Sequence, residues 1–316
     1  MKNVIKIVVF FLIFVVFLYF IYKPKSGDID RNFGENGFVE LPKMYFSYYK
    51  VIDNKIYILG KSRDSSDLLL SKVNCDGKES NEFVLDSFLW SVSSGFIDKD
   101  LNIFVADNNY LKGFFISKYN KFGQKYNNGK EFIEYMGSDV RFIKEGKLYI
   151  DLDGSFFVLL NSTSKVKILK YNPDGSLDKK FGNEGIFVYN SSFFEAEALV
   201  FDREFIYIIG VNKRFSKNDN KIYGSLSIIG VTKKGKINKN FGKDGVFYHD
   251  KEFVNLYIFG DKIIFNENKF IIPSKTYDFD YKYSENLVFC INKDDKNGEF
   301  LKINNITIKQ GLKLMV

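Results

Sequence analysis

A phrase of eleven residues occurs three times in this chain. It reads GDIDRNFGENG from Gly27 to Gly37, GSLDKKFGNEG from Gly175 to Gly185, and GKINKNFGKDG from Gly235 to Gly245. In each copy an Ile or Leu and then an Asp or Asn come shortly after the first glycine, and Phe-Gly-x-x-Gly closes the phrase. A chain that repeats itself in this way folds as an array of similar units, because each unit hides its apolar face only against a neighbour. The repeat constrains architecture and assigns no reaction.

Each position in the phrase has a physical rationale. Gly27, Gly175 and Gly235 suit a hairpin position that needs positive φ. Asp30, Asp178 and Asn238 can fold a side chain back onto backbone amides in an Asx-turn. Phe33, Phe181 and Phe241 are expected to plug the seam between units. Gly34, Gly182 and Gly242 would let the backbone pass close beside those rings, and Gly37, Gly185 and Gly245 end the phrase. All of these jobs are structural.

Between the phrases the chain reads as strands. Short apolar runs end at Asn74, Asn120, Asn172, Thr232 and Asn292, so successive ends lie 46, 52, 60 and 60 residues apart. Before each run stands another strand-like segment: KIYILG at Lys55, NIFVAD at Asn102, KLYIDL at Lys147, FIYIIG at Phe205 and KFIIPS at Lys269. Turn-like pairs such as Asp53-Asn54, Lys99-Asp100, Glu145-Gly146 and Glu267-Asn268 introduce most of them. No stretch after Tyr22 keeps a helical period. The composition, 45% hydrophobic and 18% aromatic, favours strands and excludes disorder. These features predict an all-β chain, a β-propeller of about five four-stranded blades. The count becomes six if the early strand Phe38–Leu41 and the late segment Gly298–Lys309 build a blade together. Otherwise those two compete to latch the last blade.

The segment YNPDGSLDKKFGNEG, Tyr171 to Gly185, resembles the delta-60 repeat, a bacterial β-propeller family whose units read roughly D-G-x-L-D-x-x-F-G-x-x-G. The copies at 27 and 235 match well, although Asn238 replaces the Asp. Those at 77 and 123 are eroded, keeping Asp76-Gly77 and Phe122-Gly123 without the closing tail. The resemblance implies an extracytoplasmic propeller and offers no catalytic residues to carry over.

The N-terminus differs in kind. From Ile7 to Tyr22 every residue is apolar or Tyr. A helix from Val4 to Tyr22 would span roughly 28 Å, about the thickness of a hydrocarbon core. Tyr22-Lys23-Pro24-Lys25 follows, with no small-residue cleavage site. Residues 1–25 therefore read as an uncleaved signal anchor, and 26–316 as the propeller domain, tethered to the cell membrane on its outer side. If the segment is cleaved, the domain is secreted. Lys2 and Lys6 are balanced by Lys23 and Lys25, so flanking charge does not decide orientation.

Chemistry-bearing constellations are sparse. The single histidine, His249, reads as an exposed loop residue of structural or incidental role, and leaves no material for triads or His-based metal sites. Cys75 and Cys290 are far apart in sequence and are not expected to bridge. The formal charge of +7 comes from scattered lysines rather than a basic run mixed with stacking aromatics, so no nucleic-acid partner is expected. Asp98-Lys99-Asp100, Asp151-Leu152-Asp153-Gly154 and Asp278-Phe279-Asp280 resemble alternating calcium ligands, but acidic Gly-bearing loops are ordinary hairpin turns, and none reaches a bidentate Glu. No catalytic residue, cofactor or metal is assigned. Tyr45, Phe46, Tyr48 and Tyr49 read as core positions of an inner strand, Trp90 as a seam filler, and Tyr277, Tyr281 and Tyr283 as a loop cluster suited to a partner. Asn161-Ser162-Thr163, Asn190-Ser191-Ser192 and Asn305-Ile306-Thr307 match the glycosylation pattern by chance. The favoured expectation is a non-catalytic module binding a protein or polysaccharide partner. Its rivals are a carbohydrate-active hydrolase or lyase working through Asp or Glu, and a structural envelope protein.

Overall fold

The structure, a computed structural model, describes residues 29–303 apart from 79, 88–91, 110–112, 127–131, 136–142, 152, 163, 267, 278–283 and 294–298. The expected membrane helix, Gly27, Trp90, Asp278-Phe279-Asp280, Tyr281, Tyr283 and Asn305-Ile306-Thr307 lie outside the described residues. Among the described residues there is no α-helix, and every regular element but one is a strand.

Five antiparallel sheets follow one another along the chain. Sheet one is β1 (Met44–Ile52), β2 (Lys55–Ser62), β3 (Leu68–Asn74) and β4 (Ser80–Asp86). Sheet two is β5 (Val92–Ile97), β6 (Ile103–Asn109), β7 (Gly113–Tyr119) and β8 (Ile133–Tyr135). Sheet three is β9 (Ile143–Ile150), β10 (Phe156–Ser162), β11 (Lys165–Tyr171) and β12 (Ile186–Asn190). Sheet four is β13 (Phe194–Phe201), β14 (Phe205–Ser216), β15 (Lys221–Thr232) and β16 (Val246–Tyr248), with the short β17 (Phe253–Val254) pairing further along β15. In sheet five, β18 (Tyr257–Ile258) and β19 (Ile264–Asn266), separated by a 3-10 turn, both pair with β20 (Lys269–Tyr277), followed by β21 (Ser284–Asn292) and β22 (Glu299–Ile303).

The sheets stack face to face in chain order, as the blades of a propeller do. One apolar cluster joins Leu59 and Leu68 of sheet one to Ile97 and Ile103 of sheet two. Another joins Phe104 and Phe114 to Phe156 and Leu169. Phe157 and Ile168 meet Ile208 and Ile229, and Tyr207 and Ile228 meet Phe270 and Phe289. Because the middle strands are covered on both faces, their sequences run apolar without alternation, as in FIYIIG and FFVLL.

Two expectations are corrected. In the third unit, Lys147–Ile150 of KLYIDL belong to the first strand, β9, and the predicted introductory turn does not exist. Glu145 and Gly146 lie inside β9, opposite Asn161 and Leu160. A Cβ at Gly146 would stand 2.3 Å from the Phe114 ring, so this glycine serves close approach between sheets rather than a turn. The real turn is Asp151–Gly154, leading into β10. Second, Phe38–Leu41 is not a strand. Phe38 makes only a bridge to Glu35, and residues 39–42 are irregular.

Candidate functional site

The second and third copies sit between the third and fourth strands of sheets three and four, the first lies ahead of β1, and the described part of each folds alike. The side-chain oxygens of Asp30, Asp178 and Asn238 accept from the amides of Asn32, Lys180 and Asn240 at 3.0–3.2 Å, the expected Asx-turns. Left-handed backbone recurs at Gly34, Asn36 and Gly37, at Gly182, Glu184 and Gly185, and at Gly242, Asp244 and Gly245. Gly175 and Gly235 have φ of +87° and +72°, as their turns require.

The phrase works at the seam between sheets. Gly182 N–H donates to the Lys234 carbonyl of the next sheet at 2.9 Å, and Gly34 N–H donates to Asp76 O at 2.7 Å. Phe181 is 1% exposed and packs edge-on to Phe157, and Phe241 is buried against Tyr207. Phe33 departs from expectation: it is only half-buried, because no sheet precedes it in the chain to wall its outer side. The Asn238 substitution also acquires a reason. Asp178 forms an ion pair with Lys170 at 3.0 Å, while Gly230 holds the corresponding backbone position beside Asn238. The cation and its anion are replaced together.

The acidic clusters serve the fold. Asp98 Oδ1 accepts from the amides of Asp100 and Asn102 at 2.8 Å each, and Asp153 Oδ1 from Ser155 N–H at 2.8 Å. Asp151 pairs with Lys233 of the next sheet, and Asp202 pairs with Lys293 of the next at 2.7 Å while accepting from Tyr207 at 2.8 Å. Both lysines also lie over aromatic rings, Lys233 over Phe201 and Lys293 over Phe205. Among the described residues no cluster of three His, Cys, Asp or Glu side chains could hold a metal ion. His249 is buried, not exposed. Its Nδ1 accepts from Lys251 N–H at 3.1 Å and its ring stands edge-on to Phe289, so it closes the corner between sheets four and five. Both thiols are free. Asn161 is buried and clasped to Ala196 by two hydrogen bonds, which leaves its amide no room for a glycan.

The aromatic segment at 45–49 divides between core and surface. Tyr48 packs against Phe96 of sheet two, and burial raises its hydroxyl pKa to about 12. Tyr49 is half-buried, whereas Tyr45 is exposed beneath the Arg63 guanidinium.

The phrases occupy one end of the stack. At the opposite end, where second strands turn into third strands, one hairpin projects. β14 and β15 are twelve residues each and stay paired to Ser216 and Lys221. Its outer part carries an ordered surface network. Arg214 forks onto Glu252, Nε to Oε1 at 3.2 Å and Nη2 to Oε2 at 2.6 Å, and lies over the Tyr223 ring. Tyr223 in turn donates to Asp219 at 2.6 Å. Hydrogen bonding from Arg214 holds the Glu252 carboxyl below its usual range, and bonds from Ser216 and Tyr223 do the same for Asp219. Phe215 and Ile222, opposite one another at the tip, are both exposed, as is Phe193, whose carbonyl accepts from Lys213 N–H. Asn255 ties this hairpin to sheet five, donating from its backbone to Ile222 O and from Nδ2 to Tyr277 O. Tyr277 lies under Lys275, next to the exposed Tyr257. Strand alternation puts Phe215 and Ile222 on the hairpin face turned toward sheet five, the face of Tyr207, Ile209 and Ile228, and puts Arg214 and Tyr223 on the opposite face.

Reading the sequence located only Tyr277 among these surface residues. The unusual length of the apolar segments beginning at Phe205 and ending at Thr232 was the available signal for the rest.

No protein-family model matches the chain, and no curated protein matches it. Solved structures do. Drosophila Semaphorin 2a is similar at 11% identity with a TM-score of 0.48, over 88% of this chain and 56% of that one. The β-propeller domain of the Trilobed protease from Pyrococcus furiosus is similar at 9% identity and 0.39, over 87% of this chain and 100% of that one. CoXyl43, a GH43 β-xylosidase/α-arabinofuranosidase from a compost microbial metagenome, is similar at 10% identity and 0.43, over 83% and 96%.

Proposed function

We propose that this chain is a membrane-tethered, extracytoplasmic propeller of five blades, akin to the delta-60 repeat proteins, which binds a protein or polysaccharide partner and catalyses nothing. The observation that carries this reading is the projecting β14–β15 hairpin. Exposed Phe215 and Ile222 share one face of its tip and an Arg214–Glu252–Tyr223 network braces the other, which is the composition of a recognition surface. The seam carboxylates support the same view, since Asp151, Asp202 and Asp178 are each committed to a lysine. The apolar run from Ile7 to Tyr22 supports the tether.

The test uses the full-length chain in detergent or nanodiscs, probed with a glycan panel and with cell-envelope fractions. Wild type is expected to retain one class of probe, and the Arg214→Ala/Phe215→Ala variant to lose at least tenfold in affinity while melting at an unchanged temperature. Turnover of any glycan that disappears on substitution of one Asp or Glu would replace this reading with the hydrolase. Protease digestion of the domain on intact cells reads out its side of the membrane.

A further inference from the structure

Four of the turns that follow a third strand carry a glycine, and the unit before covers each one. A Cβ at Gly123 would meet Leu85 of sheet one, at Gly175 the Phe132 ring of sheet two, and at Gly235 the backbone of Gly182 and the ring of Phe181 in sheet three. Gly77, in the turn after β3, has no sheet before it in the chain, yet it is covered in the same manner by the Gly34 backbone and the Val39 side chain. The Gly34-to-Asp76 hydrogen bond repeats the Gly182-to-Lys234 bond. Residues 33–39 therefore stand on the flank of sheet one where the outer margin of a preceding blade belongs. In a ring, that blade is sheet five.

In sheet three the phrase runs directly into β12, which pairs with β11 so that Ile186 faces Leu169 and Phe187 faces Ile168. Aligning Asn172 with Asn292, the residues that begin the two turns, would set Phe38 opposite Phe289 and Val39 opposite Val288. That edge of β21 is occupied by β22, with Phe300 opposite Phe289 and Leu301 opposite Val288. Meanwhile residues 39–42 lie in no ladder, and Phe38 is 63% exposed. One slot has two claimants, and the one left out lies on the flank of sheet one with an apolar side chain in water.

We propose that Phe38–Leu41 and Glu299–Ile303 are alternative occupants of the outer edge of β21, and that the N-terminal strand seals sheet five onto sheet one when the C-terminal strand leaves. This inference is independent of the binding reading. Both segments are short and would make similar numbers of ladder bonds, so the two arrangements lie close enough in free energy for both to be populated.

The experiment is cross-strand disulfide trapping in the full-length chain carrying Cys75→Ser and Cys290→Ser. One variant pairs Val288→Cys with Leu301→Cys, the other Val288→Cys with Val39→Cys; facing residues on paired strands come within the roughly 7 Å that a disulfide requires. After oxidation of the folded protein, mass spectrometry is expected to find both bridges. Formation of the 288–301 bridge with none at 39–288 would overturn the proposal. A cysteine-free readout is amide exchange on the wild-type chain and on a chain ending at Gly298. Removing β22 is expected to slow exchange at Phe38–Leu41 at least tenfold, and an unchanged rate in a chain that still folds counts against the exchange.

Discussion

Phe181 and Gly182 are adjacent and do opposite things at one seam: the first fills space and the second vacates it. Phe181 is enclosed by Phe157 and the strands of sheet four. Phe181→Ala is expected to cost about 3–5 kcal/mol in chemical denaturation, whereas Phe33→Ala, at a half-covered seam, should cost under about 1.5 kcal/mol. Glycines separate in the same way. A Cβ at Gly235 would lie 2.4 Å from the Gly182 nitrogen, but at Gly154, with a similar φ of +81°, the nearest atom is 3.6 Å away. Gly154→Ala should therefore show only the backbone strain, about 1 kcal/mol, and Gly235→Ala distinctly more, read as the difference between their melting temperatures. At this scale the sequence was informative wherever a residue recurred in register, as with Phe181, Gly182 and Asp178. It was uninformative about His249, because burial at a corner depends on Phe289, which arrives from sheet five.

Strand positions were legible because Val, Ile, Tyr and Phe accumulate between turn residues. Phase was harder to read. Glu145-Gly146 looks like a turn until the Phe114 ring above it is seen, and no local signal distinguishes a turn glycine from one that admits a neighbour's ring. Side chains that stitch one element to another were also hidden. Asn161 of β10 uses its whole amide on β13, donating to Ala196 O at 2.6 Å and accepting from Ala196 N–H at 3.0 Å, beside the bulge between Ala196 and Ala198. The side chain thus satisfies backbone groups of the neighbouring sheet at a point where the ladder is irregular. Asn161→Ala would leave both groups of Ala196 buried and unpaired, an expected loss of about 2–4 kcal/mol in thermal or urea unfolding. Asn161→Asp would restore the acceptor but not the donor, and should fall between the two.

For the whole molecule, carboxylates held in ion pairs and turns predict its response to acid. Burial opposes ionisation of Asp202, Asp178 and Asp153, but hydrogen bonds outweigh it: from Lys293, two backbone amides and Tyr207 at the first, from Lys170 and the Lys180 amide at the second, and from Ser155 at the third. All three carboxyls are held below their ordinary value. A carboxyl lowered on folding contributes stability that is fully present above its unfolded pKa, about 3.9, and is lost as pH falls through the folded value. The melting temperature should therefore stay level from neutrality to about pH 5 and drop below about pH 4. Asp202→Asn should melt lower at pH 7 and lose less on acidification. The all-β character was visible in the strand-forming runs between turns. How the array ends was not, because Phe38–Leu41 and Glu299–Ile303 carry equally good strand sequences and nothing local ranks them.

The bond from Gly34 to Asp76 has a mechanical meaning under the N-terminal tether proposed above. Tension along such a leash would reach the body at residues 33–39, a patch held among the described residues by the Gly34–Asp76 bond, turn bonds and the Val39 side chain. Such a patch yields by peeling, one contact after another, at forces well below those needed to shear a long β ladder. The outermost turns would then act as a compliant hinge, sparing the stacked sheets behind them.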